Sequence, residues 1–164
     1  MGLFNRKVNE KVYLNNLLNS MLETRRLLSP QSMTGDRDKD TGMIGSVLAT
    51  LVADLMIAKY IAQAHPTKAA TDRYLRAEMV LDQARRDAWV LSEMFGVNMQ
   101  QAIEIGREEA DRYLQWAGGD GTMWHERGHP GHNVFRMEAV RSVDPTAEQA
   151  AEDRMFWGIV KRPD

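Results

Sequence analysis

The chain has no cysteine. That excludes disulfides, thiolate zinc sites and cysteine nucleophiles, and it suits a reducing compartment. Prolines number only 5, against hydrophobic and charged shares of 43% and 27%, a composition that folds rather than one that stays disordered. The 21 basic and 23 acidic residues leave a formal net charge of −2, so no long-range field draws in nucleic acid or an anionic membrane. The first residues, MGLFNRKVNEK, lack the continuous apolar core of a secretory signal, so the cytoplasm is the expected location. No internal repeat and no low-complexity tract is present. At 164 residues the chain suits one domain, 1–164, which on folding buries about two thirds of its unfolded surface.

What is present is a long apolar run, Gly42 to Ala64, against which the other segments must pack. It is long enough to cross a bilayer, but Asp54 and Lys59 would each cost about 3 kcal/mol there, so a buried bundle helix is expected. Gly42, Gly45, Ala49 and Ala53 recur at helical spacing and allow a second helix to come close. Ser46, Thr50 and Asp54 follow at four-residue steps and form one polar line along the helix. Asp54 has no cation at neighbouring helical positions. It is expected to face solvent along this line, to pair with an arginine such as Arg73, Arg76 or Arg85, or to line a functional groove.

Around this run the spacing predicts three further helices. From Leu3 to Leu28 apolar residues recur every three or four positions, and Ser29-Pro30 ends the pattern. From Lys68 to Phe95 the residues Tyr74, Ala77, Leu81, Ala84, Ala88, Leu91 and Phe95 alternate steps of three and four, a coiled-coil-like seam that should meet the small residues of the apolar helix. The bulky side of that helix is left for the first and fourth. Gly96 suits a C-terminal cap, Asn98 with Gln101 suits a new start, and a fourth helix runs to about Ala117. The periodicity then disappears through a Gly- and His-containing segment, about 118–144, and returns in a C-terminal helix at about 145–160. The expected fold is all-α: a four-helix up-and-down bundle with an irregular segment and one additional helix.

Four patterns could carry chemistry. His125, Glu126 and His129 spell H-E-x-x-H, with His132 three residues on. Zincin proteases need that spacing on a helix, which Gly128, Pro130 and Gly131 oppose, so the remaining metal reading is imidazoles converging from a loop on a divalent ion. Asp36, Asp38 and Asp40 alternate as in a calcium loop, but Thr41 stands where the turn glycine is needed and Val47 where the bidentate glutamate is needed, so a solvated loop is expected. The helical carboxylates Asp54, Glu78, Asp82, Glu93, Glu104, Glu108 and Asp111 are of the type that holds magnesium in all-α nucleotide pyrophosphatases, and Glu108 with Asp111 supplies one E-x-x-D element without its upstream partner; most have an arginine in reach along their own helix, as Asp82 has Arg86, so solvated ion-paired faces are expected.

The stretch Leu91 to Ile105 is similar to the helix-turn-helix consensus in its leucine, small residue, Gly-Val turn and polar cap. That resemblance implies DNA binding, yet the second helix would present Glu104, Glu108, Glu109 and Asp111 against only Arg107 and Arg112. The expected function is therefore a non-enzymatic helical interaction or assembly module that associates with itself or another protein. It rests on the alanine seam, on 11 adaptable methionines and on the lack of a complete catalytic set.

Overall fold

The computed structural model describes residues 3–64 and 66–118, and among them all regular structure is helical. The elements are α1 (Leu3–Arg25), one turn of 3-10 helix (Pro30–Ser32), α2 (Arg37–Ala64), α3 (Lys68–Phe95) and α4 (Met99–Gly118). The expected irregular segment and C-terminal helix, about 118–144 and 145–160, lie outside the described residues beyond Gly118.

Each boundary has a local cause. α2 begins at Arg37, five residues earlier than the apolar run, because Asp36 caps it: the carboxylate accepts from the N–H groups of Asp38 (3.0 Å) and Lys39 (3.2 Å). Asp38 and Asp40 then occupy the first turn, where the helix dipole favours negative charge. α3 starts on Thr67, whose hydroxyl accepts from the Ala70 N–H at 3.0 Å. It stops at Gly96, which takes the left-handed conformation (φ 68°) and returns its N–H to the Ser92 carbonyl. Asn98 accepts from the Gln101 N–H at 3.2 Å and so opens α4.

α2 is the central element. It packs most extensively on α4, then on α3 and on α1; α1 also packs on α3, whereas α3 and α4 scarcely touch. Its residues Leu51 to Ala58 are buried at every position, so the helix is covered on all sides there. Ile44, Leu48, Leu51, Met56 and Ile57 are its largest fully buried side chains, and Leu14 and Met21 from α1 join them. Each such side chain contributes about 1.5–3 kcal/mol by leaving water. This burial is what a core helix requires, and α2 is also the one helix among the described residues long and apolar enough to cross a membrane.

The seam of α3 turns inward as its spacing predicts: Ala77, Leu81, Ala84, Ala88 and Leu91 are buried, with Tyr74 and Phe95 half-buried at its ends. For Gly45 the partner of the small-residue side of α2 differs from expectation. A Cβ added at Gly45 would lie 2.7 Å from the Ala102 carbonyl oxygen and 3.0 Å from Ile105 Cγ2, so this glycine faces α4 and not the alanine seam of α3. The reason is that α4 carries its own small residues, with Ala102, Gly106 and Ala110 all buried, and can approach equally closely.

Candidate functional site

The polar line on α2 divides into three different environments. Ser46 is half-buried and donates to the Glu109 carboxylate of α4 at 2.9 Å, which joins the two helices. Thr50, also half-buried, donates back to the Ser46 carbonyl at 3.0 Å, a local bond that threonine often makes inside a helix. Asp54 is 0% exposed, which corrects the expectation that it faces solvent. Hydrophobic residues from Leu51 to Ala58 enclose it along its own helix. The line therefore starts at the surface beside α4 and ends in the interior.

A second polar arrangement clasps α1 to α3. Arg73 donates to Asn15 at 2.7 Å and to the Ala69 carbonyl at 3.1 Å. Ten residues further along α1, Arg25 donates to Asp87 at 3.0 Å and to Gln83 at 2.8 Å. Both members of the Arg25–Asp87 pair are about a third exposed, so their attraction is screened by water. These contacts fix how the two helices lie side by side.

Three of the carboxylates suspected of binding metal, Asp40, Glu78 and Asp82, are engaged in other bonds. Asp40 does not sit in a solvated loop: it is buried, and it accepts from the Thr34 N–H and hydroxyl, both at 2.8 Å, and from the Gly35 N–H at 3.1 Å. The Thr34 N–H is the main reason its carboxyl is held below the usual carboxylate range; burial opposes this, and the Thr34 hydroxyl and Gly35 N–H add to it. Glu78 is bonded to the Tyr74 hydroxyl, whose pKa is pushed up first by burial and then by that bond and the charge of Glu78. Desolvation works against the charged form of Asp82, but hydrogen bonds from Arg86 and Arg85, each 3.3 Å, outweigh it and lower its pKa.

Among the described residues no three histidine, aspartate or glutamate side chains come together closely enough to hold a metal ion. His125, Glu126, His129 and His132 lie outside the described residues, as does the side chain of Asp111. In the stretch similar to a helix-turn-helix, Val97 is buried and Met99, Ala102 and Ile103 turn inward. Among the α4 residues whose side chains are described, Met99 to Ala110, the exposed ones are Gln100, Gln101, Glu104 and Glu108, none of them a cation that could meet phosphate.

The most informative surface is one that sequence reasoning missed. On the outer side of α3, opposite its buried seam, Leu75 (52% exposed), Met79 (62%), Val90 (55%) and Met94 (59%) form an apolar stripe. Steps of four within each half and eleven between them keep the four residues on one face. Arg76, Asp82, Arg86 and Glu93, all exposed, stand among them. The signal is present in the sequence as a second periodic set within α3, hidden by the more regular alanine seam. Comparison with known proteins adds nothing to this picture: no protein-family model, no curated protein and no solved structure matches the chain.

Proposed function

We propose that the chain is a non-enzymatic helical interaction or assembly module that associates with itself. The observation that carries the proposal is the outer stripe of α3. Single exposed apolar residues are ordinary on a folded surface, but four on one helix face, in two pairs separated by Asp82, Gln83 and Arg86, form an apolar stripe of the kind that marks contact with another protein. Its two methionines, Met79 and Met94, are flexible and polarisable, which suits a surface that adapts to a partner. The coiled-coil-like seam cannot serve this purpose because the fold already buries it against the other helices of the same chain.

We also infer that the four helices run alternately up and down. The contacts support this: Asn15 with Arg73 and Arg25 with Gln83 advance together along α1 and α3. A Cβ at Gly96 would lie 3.5 Å from the Arg37 guanidinium, which brings the end of α3 to the start of α2. Size-exclusion chromatography with light scattering on the full chain tests the functional reading. The expected mass exceeds that of one chain and rises with concentration; a strict monomer at every concentration overturns it.

A further inference from the structure

The outer stripe of α3 is symmetric in a way that a surface for an unrelated partner has no need to be. About the Ala84–Arg85 peptide, Leu75 and Met94 lie equally far on either side, and so do Met79 and Val90. The same holds for Arg76 and Glu93, which carry opposite charges. Asp82 and Arg86, joined within one chain at 3.3 Å, lie near the centre but are not equidistant from it.

In two antiparallel helices related by a twofold axis, residues equidistant from the centre stand opposite one another. Leu75 then meets the partner's Met94, and Met79 meets the partner's Val90. Arg76 faces the partner's Glu93 at both ends of the contact. Nearer the centre, Arg86 faces the partner's Gln83 and Asp82 faces the partner's Asp87, whose charge Arg25 of its own chain already offsets at 3.0 Å. A parallel pairing would oppose Arg76 to Arg76 and Glu93 to Glu93, and like charges in contact are repulsive. The pairing of Arg76 with Glu93 therefore favours the antiparallel orientation of two copies over the parallel one.

We propose that a second copy of this chain covers the outer face of α3 through an antiparallel, twofold-symmetric α3–α3 contact. This rests on the self-association reading and specifies its surface and geometry. The apolar residues supply the burial that drives association, while Arg76 and Glu93 set the orientation.

The test uses two variants of the full chain, Met79→Lys and Val90→Glu, each examined alone and in equal mixture by light scattering and sedimentation. Circular dichroism confirms helix content, since both positions are exposed. The wild type is expected to be dimeric and each variant alone monomeric. The mixture is expected to return to a dimer, because the introduced lysine of one copy then meets the introduced glutamate of the other while the second contact stays apolar. A mixture that remains monomeric overturns the antiparallel geometry. Dimers that persist in both single variants overturn the assignment to this face and leave self-association standing. A wild type that is monomeric at all concentrations overturns both.

Discussion

Gly42 and Gly45 sit one helical turn apart in the same helix, and the structure assigns opposite outcomes to the same substitution at each. Replacing a mid-helix glycine with alanine ordinarily stabilises by about 1 kcal/mol, through propensity and the smaller entropy of the unfolded chain. At Gly42 nothing lies within 4 Å of the added Cβ, so that gain should appear undiminished. At Gly45 the added carbon would lie 2.7 Å from the Ala102 carbonyl oxygen, with Ile105 Cγ2 and Cβ at 3.0 and 3.1 Å. The nearest atom is backbone in the first turn of α4, so it cannot rotate aside, and relief requires the α2–α4 contact to open there by several tenths of an ångström. Such overpacking costs about 1–3 kcal/mol, which cancels or exceeds the propensity gain. The two variants should therefore differ by about 1–3 kcal/mol, or several degrees in melting temperature for a chain of this size. Thermal and urea denaturation followed by far-UV circular dichroism measure this directly. A Gly45→Ala protein as stable as Gly42→Ala would refute the close approach of α4.

Three further outcomes follow from the geometry. Gly96→Ala should cost about 1 kcal/mol because its φ of 68° belongs to the left-handed region, whereas Gly96→Asn should cost less; urea midpoints report both. A double-mutant cycle on Arg25 and Asp87 should give a coupling of no more than about 1 kcal/mol that shrinks in high salt, as the pair is solvent-screened. Asp40 has a folded pKa below its ordinary value, so its contribution is complete above the unfolded pKa and is lost as the pH falls through the lowered one. The stability gap between wild type and Asp40→Asn should accordingly narrow on acidification below about pH 4, and a gap independent of pH would contradict the Thr34 and Gly35 hydrogen bonds.

Much of the architecture was legible because its causes are local. The bounds of α3 follow from Thr67 and Gly96, a hydroxyl cap and a left-handed glycine that act within a few residues of themselves. The buried alanine seam follows from a spacing that only a helix satisfies. The start of α2 is harder to read: alternating aspartates suggest metal ligands or solvated charges, whereas in the fold Asp36 caps the helix and Asp40 anchors the preceding turn. What sequence could not supply was the pairing between elements. Small residues on α2 can accept any helix with small residues of its own; both α3 and α4 qualify, and the choice of α4 for Gly45 depends on distances across the fold. The fate of Asp54 was hidden for the same reason, since burial is decided by the helices that surround it. The outer stripe of α3 needed the structure because periodicity reveals that a helix has two faces before it reveals which one stays outside.

The central position of α2 also orders events in time. Synthesis proceeds from the N-terminus, so the Arg37–Lys59 stretch, which has the length and composition of a membrane span, leaves the ribosome before α3 and α4 exist to enclose it. Its largest covering surface, α4, is the last of the four helices to be made. Until then the nascent chain carries this apolar segment without its main cover, the kind of exposed surface that makes incompletely folded chains prone to aggregate. The covering α4 is joined to α3 by only Gly96, Val97 and Asn98. That short connection shortens the interval of exposure by delivering the final shield almost as soon as its predecessor is complete.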